Sequence, residues 1–345
     1  MNKKLNHGSD SKAATIYQVA KLAGCAVSTV SRVVNKHQNV SSKTKEKVHS
    51  AMAQLNYRPN TVASSLASQR SNCVGVLVSE LASEFFGTFT GAVESVLREH
   101  NKHIIVTAGH GDAASEKEGI NFLIDRNCDA LILHVEALSD EYLNELCQGD
   151  IPIVIVNREL SDFPNNCIGI DNELGGFKAT SKAIEFGHCD IAYISGPLKK
   201  HDAHARWDGH LRALAQASIA YDPALFIEAE FSQESGAKAL LELLAQNKPF
   251  SCVVCGNDEI ACGVMSAARD AKMHLPNALS IVGFDNSNVA SYTYPKLSSV
   301  DYPIAQIGKA AGLLVLKHVY VIEAATAAVP FSPTFINRAS LQSKL

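Results

Sequence analysis

The sequence predicts an α+α/β protein, in which an N-terminal helix-turn-helix headpiece with a hinge helix precedes a two-lobed parallel α/β domain. Three observations favour this fold class. Residues 15–57 carry three short amphipathic helical patterns around a glycine turn. From residue 73 onward, short apolar runs alternate with amphipathic segments, and the alternation occurs twice. Residues 1–70 hold 11 Lys and Arg against 2 Asp and Glu, whereas the remaining residues hold 20 against 33.

The length of 345 residues exceeds one ordinary core and predicts several domains. We expect a disordered leader over 1–13, the helix-turn-helix headpiece over 14–58, a hinge helix or linker over 59–71, and the two-lobe domain over 72–345. The sequence has no apolar run of about 18 residues and no secretory signal at its start, so we expect a cytoplasmic protein without a membrane partner.

Nine irregularly spaced cysteines do not suggest a disulfide framework. Cys252 and Cys255 are three apart on a predicted strand, so they point to opposite faces and cannot easily share a metal.

The headpiece pattern has clear helix boundaries. Thr15 can cap the first helix and Gly24 can end it. A second helix is predicted over about 27–34, and Ser41 can cap a third. Two helices joined by a tight turn have the layout of a helix-turn-helix.

The second helix presents a distinctive outward face once its valines at 30, 33 and 34 turn inward. That face shows Val27, Ser28, Ser31, Arg32 and Asn35. Small side chains allow a helix to enter a DNA major groove, Arg can pair bidentately with guanine, and hydroxyls and amides can reach phosphates. Together with the basic charge, this face indicates double-stranded DNA as the partner of the headpiece.

The segment after the third helix is predicted to be a hinge. Arg58-Pro59-Asn60 breaks the helix, and residues 61–68 are small except for Leu66. Such a segment is too short to be a stable helix alone in water. If it folds on DNA, Leu66 can act as a wedge at a minor-groove step.

The body shows nine strand-like runs separated by helical stretches: CVGVLVS, HIIVTAG, DALILHV, IPIVIVN and CIGID, then DIAYISG, LFIEAEF, SCVVCGN and SIVGFD. This alternation predicts two parallel sheets, each covered on both faces by helices, with a cleft between two lobes.

Ligands bind beyond the carboxyl ends of such strands. Residues there include Phe85, Phe86, Asn157, Arg158, Arg206, Asn257, Asp258 and Asp285. Rings, arginines, an amide and carboxylates suit a small polyol or sugar. Alternatively, Phe85 or Phe86 belongs to the core and Asp258 caps the next helix.

The headpiece motifs IYQVAKLAG, VSTVSRVVN, VSSKTKEKV, AMAQLNYRPN and ASSLAS resemble the lactose-repressor/galactose-repressor family of bacterial regulators. The body motifs FFG, NREL, GHCDIAYISGP, ARWDGHLRAL, NDEIACGVM, SIVGFD and PKLSSV resemble the same family and the periplasmic sugar-binding proteins. The stretches SSVDYPI and FSPTFINR are most similar to the galactose-repressor branch, which implies D-galactose or a related sugar as effector.

The resemblance implies specific site residues. The base-reading positions fall on Val27, Ser28 and Arg32, and the hinge wedge falls on Leu66. The phosphate-contacting positions fall on Tyr17, Thr29, Ser31, Asn35 and Tyr57. The effector positions fall on Phe86, Arg158, Arg206, Asn257 and Asp285, with Tyr302 at the rim. One departure is Gly24-Cys25-Ala26 in place of Gly-Val-Ser, because Ala26 cannot cap the second helix with its side chain, a loss of about 1 kcal/mol.

We therefore expect a sequence-specific DNA-binding transcriptional regulator of sugar metabolism genes, a repressor that binds a near-palindromic operator as a homodimer. A galactose-like sugar in the cleft would control it. No catalytic residue, cofactor or metal is expected. The chain has no leucine-heptad tail, which favours a dimer over a tetramer.

Two other functions compete with this one. A secreted sugar-binding protein would need a signal peptide and would leave residues 15–70 without a role. An NAD-dependent oxidoreductase is suggested by Gly109-His110-Gly111-Asp112-Ala113-Ala114, with Glu136 as the ribose-binding acid. That match has Ala at its third position and follows the second strand of the sheet.

Overall fold

The computed structural model describes residues 14–34, 39–58, 70–322 and 331–344. The chain divides into two compact units, Met1–Ser71 and Asn72–Leu345. The expected leader, Asn35 and most of the expected hinge, including Leu66, lie outside the described residues.

The first unit contains the three predicted helices, α1 (Ile16–Ala23), α2 (Val27–Val34) and α3 (Ser42–Gln54). Each contributes one valine that is fully buried, namely Val19, Val30 and Val48. The three helices therefore surround a small apolar core of their own.

Local hydrogen bonds explain where these helices begin and end. The Gln18 N–H donates to Thr15 Oγ1 at 3.4 Å, and the Thr15 N–H donates to Gln18 Oε1 at 2.8 Å, which completes a capping box. Gly24 ends α1 with a φ of +65°, a conformation that favours glycine. Ser41 accepts from the Thr44 N–H at 3.3 Å at the start of α3. These are the caps that the sequence predicts.

The second unit forms two α/β lobes. The first lobe contains β1 (Cys73–Val78), α4 (Glu84–Glu99), β2 (His103–Ala108), α5 (Ala113–Asp125), β3 (Ala130–His134), α6 (Asp140–Cys147), β4 (Ile153–Val156) and β5 (Cys167–Ile168). The second lobe contains α7 (Asn172–Glu185), β6 (Ile191–Ser195), α8 (His201–Gln216), β7 (Phe226–Glu228), α9 (Gln233–Ala245), β8 (Cys252–Cys255), α10 (Asp258–Asp270), β9 (Ser280–Asp285) and β10 (Ser298–Asp301). The chain ends with α11 (Ile304–Tyr320) and β11 (Thr334–Ile336).

The sheet of the first lobe is parallel, with strand order β2-β1-β3-β4-β5. Alternate residues face opposite sides, as expected from the pleat. Val74 and Val76 share a core with α4 and α11, whereas Leu77 and Leu131 share a core with α5 and α6. Both faces are thus covered by helices, as predicted.

The sheet of the second lobe has the order β11-β10-β9-β8-β6-β7. The strands predicted in this lobe, β6 to β9, pair in parallel as expected. Two further strands, β10 and β11, were not predicted, and β11 pairs antiparallel with β10. Cys252 packs with the core that contains α7 and α8, and Cys255 packs with the core that contains α9 and α10. The two thiols therefore face opposite sides of β8, as predicted.

Helix α11 follows β10 in sequence but packs in the first lobe. Its residues Ile307 and Val315 share a core with Phe89, Val93 and Leu97 of α4. The chain consequently passes between the lobes after β5, after β10 and again between α11 and β11.

Two glycines bring α7 and α8 into close contact. A Cβ atom on Gly176 would lie 2.0 Å from the carbonyl oxygen of Arg206, and a Cβ atom on Gly209 would lie 2.0 Å from that of Glu173. The backbones of these helices therefore touch without intervening side chains, which fixes the position of α8 along α7.

Candidate functional site

Helix α2 begins directly after the turn at Gly24. The Ala26 carbonyl accepts from the Thr29 N–H at 2.9 Å and from the Val30 N–H at 3.2 Å. The methyl side chain of Ala26 provides no further acceptor, so this helix starts with backbone bonds alone. The turn Gly24-Cys25-Ala26, which provides no side-chain cap, therefore does not prevent α2 from forming.

The two faces of α2 differ as the sequence predicts, except that Val27 and Ser31 of the expected outward face are half-buried. Val30 and Val33 are buried, and Ser28 and Arg32 are exposed. Val27 is half-buried against the headpiece core instead of pointing fully outward, so less of its side chain is available to a partner.

The remaining expected contacts on the headpiece vary in exposure. Tyr17 on α1 is 72% exposed, although tyrosine is a large and partly apolar side chain. Thr29 and Ser31 are half-buried on α2, and Tyr57 is half-buried against the core. Tyr17 is thus available for contact on the surface of a small helical domain.

The described part of the headpiece is strongly basic. Residues 14–34 and 39–58 hold six Lys and Arg and one acidic residue, Glu46. None of the six forms an ion pair with another residue in these two ranges. Their positive charge remains available to a polyanion such as DNA.

A cleft of about 450 Å³ lies between the two lobes of the second unit. It lies at the carboxyl ends of β1 and β3 in the first lobe and of β6 and β8 in the second. At both places the strand order reverses, and ligands of open α/β sheets bind at such points. The residues that line it include Glu80, Glu84, Phe85, Phe86, His134, Glu136, Lys200, Asp202, Arg206, Asn257, Asp258, Glu259 and Asp285.

Arg206 is the central cation of the cleft and is 3% exposed. Its Nη1 donates to the Gly256 carbonyl at 2.8 Å, and its Nε donates to Asn172 Oδ1 at 3.0 Å. The guanidinium lies 3.8 Å from the ring centroid of Phe284. These contacts hold the planar group in one orientation, as bidentate recognition of neighbouring hydroxyls requires.

Two carboxylates lie beside Arg206. Asp285 Oδ1 is 3.5 Å from Nη1, and Asp202 Oδ2 is 3.8 Å from Nη2. Burial raises the pKa of Asp285, and the charge of Arg206 opposes that rise. The backbone of Asp285 has a φ of 102°, a strained conformation for a residue with a side chain. Strain of this kind often accompanies functional sites.

Asn257 and Asp258 have different structural roles. Asn257 caps α10, because its Oδ1 accepts from the Ile260 N–H at 2.9 Å. Asp258 accepts from the N–H and hydroxyl of Ser287 at 2.7 and 2.9 Å and from the Ser299 hydroxyl at 2.7 Å. The helix cap is therefore Asn257 and not Asp258, and burial raises the pKa of Asp258 to about 6.

An ion pair joins the lobes across the cleft. Lys200 Nζ of the second lobe lies 3.0 Å from Glu136 Oε2 of the first, and the side chains are 16% and 11% exposed. Burial opposes the charged form of Lys200, but the charge of Glu136 raises its pKa overall. Buried Glu116 accepts hydrogen bonds from the backbone N–H groups of residues 136–138, which positions the loop that carries Glu136.

His134 ends β3 and forms part of the apolar wall. It is 3% exposed, and burial lowers its pKa, so the neutral ring is favoured. Its Nδ1 lies 3.3 Å from Ser79 Oγ, and its ring packs edge-on against Phe86 at 4.8 Å. Phe85 packs against Phe86 at 5.2 Å. Both phenylalanines thus pack against the core and also line the cleft.

The geometry does not favour a dinucleotide site at residues 109–114. The segment follows β2, which is an edge strand, and Asp112 caps α5 by accepting from the Ala114 and Ser115 N–H groups. Glu136 is engaged with Lys200.

Within the described ranges, no cluster of three or more His, Cys, Asp or Glu could hold a metal ion. None of the described helices is long and apolar enough to cross a membrane.

Comparison with known proteins agrees with both parts of the architecture. Residues 15–60 match the lacI family of bacterial regulatory proteins, and residues 181–341 match the periplasmic binding protein-like domain. The transcriptional regulator GalR of Escherichia coli is 35% identical over 330 residues, which cover 96% of each chain.

The chain belongs to the lacI family of bacterial regulatory proteins. Among solved structures, the lac repressor dimer bound to operator and the anti-inducer ONPF superimposes with a TM-score of 0.85 at 27% identity, covering 96% of this chain and 100% of that one. A complex of the transcriptional regulator CelR with cellobiose has a TM-score of 0.69 at 27% identity, covering 95% and 99%. The predicted family and fold class are confirmed, and this lacI-family protein is a helix-turn-helix transcriptional regulator.

The cleft of this lacI-family protein brings together four of the six residues expected to contact an effector, namely Phe86, Arg206, Asn257 and Asp285. Arg158 does not line it. Arg158 donates to the Leu138 carbonyl at 2.6 Å and pairs with Asp140 at 2.7 Å, which holds the loop before α6.

Tyr302 also differs from its expected position at the rim. It is 2% exposed, and its hydroxyl donates to Asn157 Oδ1 of the first lobe at 2.8 Å. It lines a separate cavity of about 310 Å³ and packs against Phe85 at 5.1 Å. Tyr302 therefore connects the lobes at a crossing of the chain.

Sequence reasoning did not select His134, Glu136 or Lys200 for the effector site. His134 and Glu136 come at the end of β3, one of the two strands at the switch point, so the strand order would have identified them. Lys200 gives no local signal, because its partner is 64 positions away and belongs to the other lobe.

Proposed function

We propose that this lacI-family regulator represses sugar metabolism genes by binding a near-palindromic double-stranded operator as a homodimer. Residues 14–58 bind DNA, the hinge at 59–71 supplies Leu66 as a minor-groove wedge, and residues 72–345 bind the effector and dimerise. The observation that carries the DNA-binding part is the outward face of α2, where Ser28 and Arg32 are exposed. The six Lys and Arg residues described in 14–34 and 39–58 form no ion pair within those ranges.

In this proposal Val27, Ser28 and Arg32 contact bases, and Tyr17, Thr29, Ser31, Asn35 and Tyr57 contact phosphates or sugars. Arg32 is the residue with the greatest power to select a base, because its fork can pair with O6 and N7 of guanine. A homodimer matches a near-palindrome, since each subunit reads one half-site. The exposed rings of Tyr292 and Tyr294, 79% and 85% accessible, are of the type enriched in protein interfaces.

The deciding experiment is fluorescence anisotropy of the full-length protein on a labelled near-palindromic operator and on scrambled DNA of equal length, at one salt concentration. We expect tighter binding to the operator. Arg32→Ala should weaken operator binding by about 1–3 kcal/mol and leave binding to scrambled DNA much less affected. Arg269→Ala, an exposed arginine at the end of α10, is the matched control. An unchanged preference in Arg32→Ala would contradict the role of α2.

The effector part of the proposal assigns a sugar, D-galactose or a relative, to the inter-lobe cleft. It is supported by the fixed guanidinium of Arg206 beside Asp285 and Asn257, and by the aromatic wall at Phe86. CelR, which shares this fold, forms a complex with cellobiose. Because both lobes line the cleft, a bound sugar can change the balance between lobe arrangements and so alter operator affinity.

Asp285→Asn tests this assignment. The variant should keep operator binding but lose its response to the sugar, because the amide neither balances the charge of Arg206 nor accepts from two sugar hydroxyls. The readout is the same anisotropy assay with and without D-galactose and a panel of other sugars. A normal sugar response in Asp285→Asn would move the effector site elsewhere.

The proposal includes no reaction on the effector and places the protein in the cytoplasm, where bacterial operators are. Support for a binding role comes from the carboxylates Glu136, Asp258 and Asp285, which are engaged by Lys200, by serine donors and by Arg206. None of them is positioned as an isolated general acid or base.

A further inference from the structure

The inter-lobe cleft carries an excess of negative charge. Seven of its lining residues are Asp or Glu and two are Lys or Arg. Its volume of about 450 Å³ is within the range of about 300–1,000 Å³ typical of small-molecule sites. An uncharged sugar does not require such an imbalance, since its hydroxyls need only hydrogen-bonding groups.

Four of the seven carboxylates have partners in the cleft wall. Glu136 pairs with Lys200, Asp202 and Asp285 flank Arg206, and Asp258 accepts from serine donors. The other three are Glu80, Glu84 and Glu259. Glu80 and Glu84 are exposed and Glu259 is half-buried. None of these three forms an ion pair with any residue in the described ranges, although the charge of Glu80 helps to raise the pKa of Lys200.

The three unpaired carboxylates come from both sides of the cleft. Glu80 follows β1 and Glu84 begins α4 in the first lobe, whereas Glu259 lies in the first turn of α10 in the second. Burial and the charges of Glu80 and Glu84 raise the pKa of Glu259, so the three groups repel one another across the lobes. The helix dipole favours an acid at the start of α4 and of α10, but it does not account for Glu80 or for their convergence.

Two buried side chains in the same cleft present unused polar atoms. His134 is 3% exposed and Asn257 is 8% exposed. His134 Nδ1 contacts Ser79 and Asn257 Oδ1 caps α10, but His134 Nε2 and Asn257 Nδ2 have no hydrogen-bond partner among the described residues. Neither atom is fully buried, so both are accessible from the cleft, where a ligand hydroxyl can replace water. They indicate positions for ligand hydroxyl groups.

We propose that the effector is an amino sugar with a free, protonated primary amine. Its ammonium group lies among Glu80, Glu84 and Glu259, and its hydroxyls bind Arg206, Asp285, Asn257 and His134. This inference rests on the proposed function, because it specifies the chemical class of the sugar in the same cleft. One positive charge between the lobes converts the repulsion of the three carboxylates into attraction from both sides, which favours closure on the ligand.

Isothermal titration calorimetry with the full-length protein tests the proposal. The ligands are D-galactosamine, D-galactose and N-acetyl-D-galactosamine, together with the corresponding glucose series, at pH 7 and fixed ionic strength. N-acetylation keeps the nitrogen but removes its charge. We expect the free amine to bind about 10- to 100-fold more tightly than both neutral ligands of its series, as is typical of a charge-assisted contact. Added salt should reduce this preference.

Variants identify the group responsible. Glu259→Gln and the double variant Glu80→Gln/Glu84→Gln should reduce the preference for the amine over the N-acetyl sugar, because they remove the carboxylates that face the ammonium group. Glu242→Gln, an exposed carboxylate on α9, is the control and should retain the full preference. Equal melting temperatures would show that all variants are folded.

The outcomes separate the two proposals. Equal binding of amine and neutral sugar, or a preference that survives in both cleft variants, overturns the amino-sugar inference and leaves a neutral sugar as effector. Failure of every sugar to bind overturns this inference and the effector part of the proposed function together. Operator binding is measured separately and is not affected by either result.

Discussion

Asp258 is a buried carboxylate whose ionisation has a cost in the folded protein. It is 1% exposed, and burial raises its pKa from an ordinary value of 3.8 to about 6. The hydrogen bonds from Ser287 and Ser299 and the charge of Arg338 only partly offset this effect. Near neutral pH the folded chain therefore holds a carboxylate that the unfolded chain ionises more easily.

The pH dependence of stability follows from that difference. The folded pKa lies above the unfolded one, so the stabilisation by protonated Asp258 is fully present below about pH 3.8 and is lost as pH rises through about 6. The full loss is about 3 kcal/mol. We expect the urea unfolding midpoint of the protein, relative to that of Asp258→Asn, to decrease as pH rises from about 4 to about 7.

Asp270→Asn is the matched control for this measurement. Asp270 ends the same helix and is exposed, so Asp270→Asn removes a carboxylate that is already in contact with water. A difference between the parent protein and Asp258→Asn that stays constant with pH would contradict the raised pKa of Asp258.

At the scale of elements, the close contact of α7 with α8 determines where Arg206 lies. Arg206 is three residues before Gly209, and a Cβ atom at Gly209 would lie 2.0 Å from the Glu173 carbonyl oxygen and 2.5 Å from the Phe177 nitrogen. Both are backbone atoms and cannot move independently of α7. Any side chain at position 209 must therefore separate the helices.

Gly209→Ala should destabilise the protein by about 1–3 kcal/mol or more and weaken sugar binding, because it displaces the helix that carries Arg206. Gly91→Ala in α4 is the control, since a Cβ atom there meets nothing within 4 Å. It should stabilise the helix by about 0.5–1 kcal/mol. Chemical denaturation and calorimetric titration measure both effects, and a neutral Gly209→Ala would contradict the tight crossing.

The elements that sequence reasoning predicts correctly are those with local causes. Thr15, Gly24 and Ser41 delimit helices through bonds to residues a few positions away, and strand periodicity places Cys252 and Cys255 on opposite faces. The antiparallel edge strand β11 was missed because three residues carry no directional pattern. The positions of Arg158 and Tyr302 were also missed, because their partners Leu138 and Asn157 depend on how loops and lobes come together in three dimensions.

At the scale of the whole molecule, the ion pair of Lys200 and Glu136 links the lobes. Lys200→Met should leave Glu136 without its partner in a site where it is only 11% exposed, which disfavours the arrangement described here. We expect a larger radius of gyration by small-angle X-ray scattering and a several-fold weaker apparent affinity for the effector.

Lys238→Met provides the comparison for Lys200→Met. Lys238 pairs with Glu234 within one helix, and both side chains are largely exposed, so this pair should contribute little. If the two variants had the same radius of gyration and effector affinity, the lobes would not depend on the pair across the cleft.

The placement of α11 has a consequence for synthesis on the ribosome. The sheet of the first lobe is complete once residue 168 has emerged, but the helix that shields one of its faces ends only at Tyr320. During most of translation, Val74, Val76 and the apolar side of α4 lack their final covering, while the headpiece already has all three of its helices. A nascent chain stalled before residue 304 would therefore present an intact DNA-binding unit attached to an unfinished lobe. Such a fragment would be a substrate for chaperones or proteases before it could act as a regulator.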